Sequence, residues 1–361
     1  MNLCSFQAQG FRNLQPLSFE PGGHLTVVCG RNGQGKTNLL EAIWLLTGAK
    51  SFRGAKDAEL IGRGQPFAVL QGQARSAGRE NVICLTVGAA GSQRPGRAAK
   101  LNGVDVGRAS GLAGEFTAVV FEPGHLGLVK GSPAQRRRFL DAALCQLYPG
   151  YLAALRRYLR LVAQKNALLK NWNRTPGAGD MLEVYNAQLA QAGEEVGGRR
   201  AGYMQKLAAF AVANYEDISR GSERLQLEYK PSYGDAGLLA ALNSLRSAEL
   251  RAGCCLAGPH REDFEVLLGG QPARSFASQG QQRSAVLSLK LAEAAQAQAV
   301  TGEHPVMLLD DVLSELDAGR QQYLLTRMEG KQTFVTACET AAFLKTDGVL
   351  YQMDAGVLQK L

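Results

Sequence analysis

The sequence predicts an α/β fold that a long helical segment interrupts. A glycine-rich octapeptide, GRNGQGKT at 30–37, follows a short apolar run and precedes a helical pattern. A second apolar run, VMLLDD at 306–311, ends in two aspartates near the other end of the chain. Between these motifs, residues 131–254 carry apolar side chains at helical spacing. We therefore expect one discontinuous domain with a mixed sheet and flanking helices, formed by 1–130 and 255–361, and a helical second domain between its two parts.

The charge and the cysteines of the chain indicate its surroundings. The 361 residues include 40 Lys and Arg against 32 Asp and Glu, and the net charge of +8 favours a polyanionic partner. Seven cysteines, an odd number without any C-x-x-C pair, indicate reduced thiols and no zinc site. The N-terminal residues lack the apolar core of a signal peptide, and no apolar run has the length of a membrane span. We expect a soluble, cytoplasmic protein without a membrane partner.

Short apolar runs with β-branched residues predict the strands of the first 130 residues. Strands favour Val, Ile, Thr and aromatic residues, whereas turns favour Gly, Pro, Asn and Asp. Four runs fit this description, and turn-forming segments separate them: HLTVVC at 24–29, FAVLQG at 67–72, NVICLTVG at 81–88 and FTAVVF at 116–121.

The octapeptide has the spacing G-x-x-x-x-G-K-T of a phosphate-binding loop. It lies between the strand HLTVVC and a helix predicted from Thr37 to Trp44, which is the required context. Glycines allow positive φ angles, so successive N–H groups turn into the loop, and the helix N-terminus adds positive charge. We expect Lys36 to contact the β- and γ-phosphates of ATP and the Thr37 hydroxyl to hold Mg²⁺. The predicted ATP-binding residues of this P-loop are Gly30, Arg31, Asn32, Gly33, Gln34, Gly35, Lys36 and Thr37.

The middle of the chain predicts a pair of long helices. The segment SPAQ, 132–135, offers a Ser N-cap, a Pro at the first helical position and a Gln for a capping box, so a helix should run to Leu147. The turn-rich segment NWNRTPGAGD, 171–180, is expected to reverse the chain. On both sides of it, apolar residues recur at helical steps, and Arg199 interrupts the second series. The pattern predicts a helical hairpin lined by Tyr151, Leu155, Tyr158 and Val162, then by Leu182, Tyr185, Leu189, Ala192, Val196, Tyr203, Leu207 and Phe210.

A P-loop needs a carboxylate at the end of a neighbouring strand. The run from Val306 to Leu309 predicts that strand, which ends at Asp310. We expect Asp310 to bind Mg²⁺ together with Thr37, directly or through water. Asp311 is placed to orient or deprotonate the attacking water. Taken alone, the same residues also fit a strand that ends in a solvated acidic turn.

Two further segments extend the pattern. SQGQQ, 278–282, begins a helix rich in Ala and Leu, and SELD, 314–317, follows the aspartates. Taken alone, Ser278 and Gln281 fit an ordinary capping box. The order GRNGQGKT, SQGQQ, VMLLDD, SELD nevertheless resembles the ABC-type ATPases.

That resemblance implies a site shared between two copies of the chain. In ABC-type enzymes the signature serine and its helix N-terminus contact the γ-phosphate that the second subunit binds. Ser278, Gly280 and Gln281 would then contact ATP bound to a partner, and ATP would drive formation of a homodimer. The catalytic residues would be Lys36, Ser278 and Asp311.

The wide separation of Lys36 from Asp310 resembles the head-and-arm ATPases of chromosome maintenance. Transport cassettes hold these two residues much closer in sequence. The segment FRNL, 11–14, resembles the opening of such heads, which implies that Arg12 and Asn13 approach the bound phosphates.

A longer series of motifs resembles the RecF family of bacterial recombination mediators. From residue 11 to residue 284 the segments occur in the order of that family, and LLDDVLSELD extends the series: FRNL, GKTNLLEAI, SFRGAKDAELI, FEPGHLGLVKGSPAQRRRFLD, QKNALLK, AGPHREDF and SQGQQRS. The resemblance implies an ABC-type head with a helical second domain, ATP-dependent dimerisation and DNA binding. It also implies work with RecO and RecR to load RecA at single-stranded gaps.

The chain departs from these families at two places. Gly124 and His125 stand where the RecF family has an acidic pair, and Glu122 lies one place before the proline. Transport cassettes have a switch histidine after the SELD segment, whereas no histidine follows Asp317 here. Thr336 or Glu339 would have to serve instead, or the role is missing. We therefore expect slow, DNA-stimulated ATP hydrolysis.

Clustered arginines suggest where DNA would bind. Arg136 and Arg137 belong to the triplet in QRRRFLD, and Arg156, Arg157 and Arg160 lie off the apolar series of the next helix. Both groups fit phosphate contacts, and both also fit solvated helix faces.

Two other functions remain open on the sequence alone. A transport cassette would have a Q-loop glutamine, a switch histidine and no helical insertion. A catalytically silent, ATP-gated DNA scaffold is harder to separate, because ATP binding and ATP hydrolysis use most of the same residues.

Overall fold

The computed structural model describes residues 1–88, 96–339 and 347–361. The chain divides into two compact units. The first unit comprises Met1–Leu126 and Val286–Leu361, and the second comprises Gly127–Ala285. The predicted boundaries follow residues 130 and 254. The segment from 255 to 285, expected in the α/β domain, belongs instead to the second unit, because its strand β10 (Asp263–Leu268) pairs with β9 (Leu225–Lys230).

An antiparallel sheet of six strands forms one layer of the first unit, in the order β2-β1-β4-β5-β6-β7. Its strands include two of the predicted runs, FAVLQG and NVICLTVG, which are confirmed as β4 and β5. The strands are β1 (Asn2–Gln9), β2 (Leu17–Phe19), β4 (Phe67–Ser76), β5 (Arg79–Gly88), β6 (Gly96–Leu101) and β7 (Val104–Arg108).

The second sheet of the first unit is mixed and carries the predicted motifs. Its order is β15-β14-β3-β13-β12-β8, and only β15 runs antiparallel to its neighbour. The runs HLTVVC, FTAVVF and VMLL are confirmed as strands of this sheet. The strands are β3 (Leu25–Cys29), β8 (Ala118–Phe121), β12 (Val306–Leu309), β13 (Thr333–Ala337), β14 (Val349–Asp354) and β15 (Val357–Lys360).

The parallel arrangement places the candidate residues at one edge of the mixed sheet. β3 ends just before the P-loop, β12 ends just before Asp310, and β8 ends just before Glu122. β13 lies between β3 and β12. Parallel strands end at the same edge, where α/β proteins bind their ligands.

The helices of the first unit include the one predicted after the P-loop. That helix, α1, spans Lys36–Leu45, and Leu39, Leu40 and Ile43 are fully buried. Its other helices in the described residues are α2 (Asp57–Leu60) and α11 (Ala318–Met328). The boundary between the units falls inside a further helix, α10 (Gln279–Thr301).

The second unit contains the predicted helical hairpin. α4 (Pro133–Leu147) begins at Ser132, whose N–H donates to Oε1 of Gln135 over 3.0 Å, so the predicted capping box is confirmed. α5 (Pro149–Lys170) and α6 (Ala178–Ser219) pack against each other and bury most of the predicted apolar series.

A buried arginine explains the interruption of that series at Arg199. The next residue, Arg200, is 2% exposed. Its guanidinium pairs with Asp141 over 2.8 Å and with Glu262 over 3.2 Å. Burying a charge is tolerated only when it is paired and hydrogen-bonded, which this network provides.

The second unit also contains a small sheet that the sequence analysis did not foresee. Its order is β11-β10-β9, and its strands are β9 (Leu225–Lys230), β10 (Asp263–Leu268) and β11 (Gln271–Pro272). Four shorter helices complete the unit: α3 (Gly127–Lys130), α7 (Gly237–Ser244), α8 (Arg246–Ala252) and α9 (Ala273–Phe276). Along 1–88, 96–339 and 347–361, no helix combines the length and the apolar character needed to cross a membrane.

Candidate nucleotide-binding site

The P-loop has the conformation that its glycines predict. Gly33 and Gly35 adopt φ angles of 81° and 120°, which residues with a Cβ rarely adopt. The Lys36 ammonium group donates to the carbonyl oxygens of Gly30 and, over 3.1 Å, of Arg31. The amine therefore lies within the loop, where incoming phosphate oxygens would replace these carbonyl acceptors.

Thr37, Asp310 and Thr336 form the centre of the site. The hydroxyls of Thr37 and Thr336 both donate to Oδ1 of Asp310, each over 2.9 Å. The Thr336 hydroxyl also accepts the N–H of Asp311 over 2.8 Å. The helix after the P-loop is thus bonded directly to the end of β12, and β13 is bonded to the same two aspartates.

The same group has the chemistry of a magnesium site. Asp310 is 5% exposed, and burial raises its pKa above the usual value, while the two hydroxyl hydrogen bonds oppose that rise. Mg²⁺ prefers hard oxygen ligands and is usually held by one or two carboxylates together with substrate phosphates. The Thr37 hydroxyl and the Asp310 carboxylate fit that requirement.

Asp311 has an unusual backbone conformation. Its φ angle is 51°, in the left-handed region that few residues other than glycine adopt. The Ser314 hydroxyl donates to the Asp311 carbonyl over 2.7 Å and to its Oδ1 over 3.2 Å. These contacts hold the second carboxylate beside the first, and backbone strain of this kind clusters at functional sites.

Residues from the FRNL segment support the loop from outside. The side-chain amide of Asn13 donates to the Gly33 carbonyl over 3.3 Å, and Asn38 donates to Oδ1 of Asn13 over 2.6 Å. Nε of Arg12 lies 2.5 Å from Oε2 of Glu41, a fully buried carboxylate of α1. Arg12 is thus held by Glu41, and its contact with phosphates stays a prediction.

The remaining P-loop residues contact other segments of the first unit. Arg31 and Asn32 are exposed, and Oδ1 of Asn32 accepts the Cys338 thiol over 3.3 Å. Gln34 is bound by the turn between β14 and β15 through its carbonyl and its side chain.

The signature residues lie in the second unit at the start of α10. The N–H of Ser278 donates to Oε1 of Gln281 over 2.6 Å, and the N–H of Gln281 donates to the Ser278 hydroxyl over 3.2 Å. Both halves of a capping box are therefore present. Ser278 is exposed and Gly280 is half-buried, and their contact with ATP bound to a partner stays a prediction.

Glu122 joins the site from the end of β8, a role that the sequence analysis did not assign. The N–H of Asp310 donates to the Phe121 carbonyl over 2.8 Å, which sets Glu122 beside Asp310 at the sheet edge. The carboxylate folds back over Gly124, where an added Cβ would lie 3.3 Å from Oε1. Burial, followed by the charge of Asp310, raises the pKa of Glu122 to about 7. The sequence signal that could have indicated this position is an acidic residue directly after a short apolar strand.

The arginines predicted to bind DNA fall into two groups. Arg136 is 3% exposed and makes a bidentate pair with Asp263 over 2.6 and 2.8 Å, and Arg137 donates to the Glu262 carbonyl over 2.7 Å. The prediction for Arg136 is therefore revised, because its guanidinium is buried and paired within the second unit. Arg137 makes one hydrogen bond there. The second group, on α5, is exposed and consists of Arg156, Arg157 and Arg160.

The fold and the site together define the class of protein. An ABC-type ATPase head has three parts that are present here. They are a P-loop, an aspartate at the end of a parallel strand that is hydrogen-bonded to the P-loop threonine, and a capped helix that begins in the segment SQGQQ. The helical second unit lies between the two sequence segments of that head.

Comparison with known proteins identifies the family. The family model described as RecF/RecN/SMC N terminal domain matches residues 2–356. The DNA replication and repair protein RecF of Heliobacterium modesticaldum is 39% identical, over 100% of this chain and 99% of that protein. That of Lactobacillus delbrueckii subsp. bulgaricus is 37% identical, over 100% and 98%. This chain belongs to the RecF family.

Solved structures agree with that assignment. A structure of the recombination mediator protein RecF with ATP, from the RecFOR pathway, is 33% identical, with a TM-score of 0.91 over 99% of this chain and 97% of that chain. An SMC head bound to the winged-helix domain of ScpA is 15% identical, with a TM-score of 0.56 over 100% and 97%, and shares the fold alone.

The raised pKa of Glu122 predicts a pH-dependent cost of folding. The group is neutral in both states below its unfolded pKa of 4.5, so it costs nothing there. Between pH 4.5 and about 7 the group ionises in the unfolded state but stays neutral in the fold, so the free energy of unfolding falls over this range and levels off above it. We expect Glu122→Gln, without nucleotide or metal, to gain roughly 2 to 3 kcal/mol of unfolding free energy over the parent between pH 5 and pH 8. Urea unfolding measures this difference, and a difference that stays constant with pH would mean that Glu122 ionises normally.

Proposed function

We propose that this chain is an ATP-dependent, DNA-binding recombination mediator of the RecF type. It binds ATP with Mg²⁺, closes into a homodimer and binds DNA at junctions of duplex with single-stranded gaps. In the cytoplasm it works with RecR and RecO to load RecA during DNA repair and replication restart. Support comes from the full-length similarity to proteins named DNA replication and repair protein RecF and to RecF with ATP in the RecFOR pathway.

The observation that carries the proposal is the hydrogen bond from Thr37 to Asp310. It places the metal-binding hydroxyl and carboxylate together, although 273 residues separate them in the chain. Mg²⁺ at this position would neutralise phosphate charge in the transition state. Lys36 would bind the β- and γ-phosphates, and Asp311 would orient the attacking water.

We propose slow hydrolysis because of the residues around that water. No histidine follows Asp317, and the sequence leaves Thr336 or Glu339 as replacements. The Thr336 hydroxyl already donates to Asp310 and accepts from Asp311, so it is committed to holding the aspartates. Thr336 would have to give up these hydrogen bonds to contact the γ-phosphate, which leaves Glu339, and we propose that binding of DNA raises the rate by ordering the closed dimer.

The signature helix supplies the second half of each site. A capped helix N-terminus without an acidic first turn is a favourable anion site. In the proposed dimer, Ser278, Gly280 and Gln281 of one copy meet the γ-phosphate held by Lys36 of the other. Two composite sites form, each with residues from both copies.

DNA binding is proposed for the exposed face of α5. Arg156, Arg157 and Arg160 project from this helix, and the net charge of the chain is +8. Arginine contacts to phosphates are independent of base sequence and release counterions. A silent scaffold that binds ATP and DNA without turnover shares these features, and steady-state ATPase with and without gapped DNA separates it from the proposal.

We expect Ser278→Arg to abolish ATP-driven dimerisation without preventing ATP binding to the monomer. Lys36 and Thr37 are unchanged, whereas a bulky cation would stand where the γ-phosphate of the partner must dock. Light scattering after size exclusion, with ATP, ADP or no nucleotide, measures the dimer. Ser132→Arg is the matched control, because it removes a cap of the same type from α4; it should cost about 1 kcal/mol of stability and leave the dimer intact.

Mixing Ser278→Arg with Lys36→Met extends this test to the geometry between copies. One composite site of the mixed dimer carries both defects, and the other joins an intact P-loop to an intact signature. Partial recovery of dimer or ATPase is therefore expected. Normal ATP-driven dimerisation of Ser278→Arg alone would rule out a composite site that contains Ser278.

Replacing Arg156, Arg157 and Arg160 together by Gln should weaken DNA binding and flatten its salt dependence. Each lost phosphate contact lowers the slope of log K against log salt concentration by about 1. Replacing the exposed Arg63, Arg79 and Arg108 of the first unit makes the same change in net charge and serves as the control. If both triple variants change the slope equally, or neither does, α5 is not the DNA-binding face.

A further inference from the structure

The turn that joins β14 to β15 contacts the P-loop. Asp354 pairs with Val357, and the two residues between them close the chain reversal. Ala355 and Gly356 have φ angles of 45° and 81°, as in the tight hairpin turns whose two central residues are both left-handed. We call Asp354–Val357 the C-terminal turn.

Two hydrogen bonds fasten the C-terminal turn to Gln34. The N–H of Gly356 donates to the Gln34 carbonyl over 2.9 Å. The N–H of Ala355 donates to Oε1 of the same residue over 2.6 Å. A single P-loop residue is therefore held through both its backbone and its side chain, by a segment 321 residues away in sequence.

These bonds orient a peptide group of the P-loop. In a trans peptide the carbonyl and the following N–H point in opposite directions. Because the Gln34 carbonyl points to the C-terminal turn, the N–H of Gly35 points away from it. The Gly33 carbonyl likewise accepts a hydrogen bond from the Asn13 side chain. The N–H that follows it, that of Gln34, therefore points away from Asn13.

The two oriented N–H groups are available for a ligand. Within the described parts of the chain, neither Gln34 nor Gly35 donates its N–H to another group, although Gly35 is buried. Backbone N–H groups in folded proteins are nearly always hydrogen-bonded, so two successive groups without a protein acceptor fit a loop that binds a ligand. Successive N–H groups of this kind form a concave site for an anion.

The turn and the loop pack too closely to admit an added Cβ. A Cβ on Gly356 would lie 2.1 Å from the carbonyl oxygen of Asn13, and a Cβ on Gly30 would lie 2.3 Å from that of Met353. The Gly356 carbonyl also accepts the N–H of Gln15 over 3.0 Å. The hairpin thus packs against both the P-loop and the loop that supports it.

We propose that the C-terminal turn is a positioning element of the nucleotide site, which keeps the N–H groups of Gln34 and Gly35 aimed at the β-phosphate of a nucleoside di- or triphosphate. The inference rests on the proposed ATP site and deepens it. The two N–H groups set the class of ligand that is affected. Binding of nucleotides that carry a β-phosphate depends on the C-terminal turn, and binding of a monophosphate does not.

Gly356→Ala tests the inference, because its Cβ must push the turn away from Asn13. Gly330→Ala is the matched control: Gly330 also has a positive φ angle, 72°, but its added Cβ would meet nothing within 4 Å. Both variants carry the same type of backbone strain, and only one disturbs the P-loop. Affinities for fluorescent ATP and ADP, and competition by AMP, are measured for the full chain with both variants and the parent.

The expected result is a loss of about tenfold or more in ATP and ADP affinity for Gly356→Ala relative to Gly330→Ala, with AMP competition unchanged. Equal ATP and ADP affinities in the two variants would overturn the inference, as would an equal loss for AMP. If Gly356→Ala does not fold, Gln34→Leu, which removes only the side-chain acceptor of Ala355, carries the same comparison. A parent protein that binds no ATP would instead contradict the proposed function.

Discussion

The hydrogen bonds of Thr37 and Thr336 to one oxygen of Asp310 are the constraint on which the first unit depends. They join the helix after the P-loop, the intervening strand β13 and the end of β12. Because Thr37 belongs to the N-terminal segment and Asp310 to the C-terminal segment, both must be in place before the site exists. The insertion of the second unit between them is compatible with this requirement, since a sheet places strands by register rather than by sequence distance.

Buried ion pairs restrict the packing of each unit separately. Glu41 is fully buried and holds Arg12, whose neighbour Asn13 supports the P-loop. In the second unit, Lys165 and Glu249 are both fully buried and lie 2.7 Å apart. Such pairs contribute little net stability, but losing one partner costs several kcal/mol, roughly 3 to 5. They therefore restrict the packing of each unit to arrangements in which the partners meet.

The sequence predicted what local patterns determine. The P-loop, the strand before Asp310, the capping box at Ser132 and the helical hairpin all follow from spacing and turn chemistry within a few residues. The interruption at Arg199 also had a local sign, but its cause, the buried network of Arg200, required partners from distant segments.

The features that the sequence did not predict depend on contacts between distant residues. Strand β9 pairs with β10, which lies more than thirty residues later, so the segment from 255 joins the second unit. Arg136 was predicted to contact DNA, but its guanidinium pairs with Asp263, which lies 127 residues later in the chain. Glu122 and the C-terminal turn reach the site only through the register of the mixed sheet, which no single segment encodes.

The most direct test of the nucleotide site is the Mg²⁺ dependence of ATP affinity in Asp310→Asn, measured by calorimetry with Mg²⁺ and with EDTA. The asparagine keeps the size of the side chain and an oxygen that can accept the Thr37 and Thr336 hydroxyls, but it removes the charge. If Asp310 holds the metal, Mg²⁺ strengthens ATP binding by the parent and has little effect on the variant, while both bind alike in EDTA. An equal gain from Mg²⁺ in the parent and in Asp310→Asn would show that Asp310 does not hold the metal.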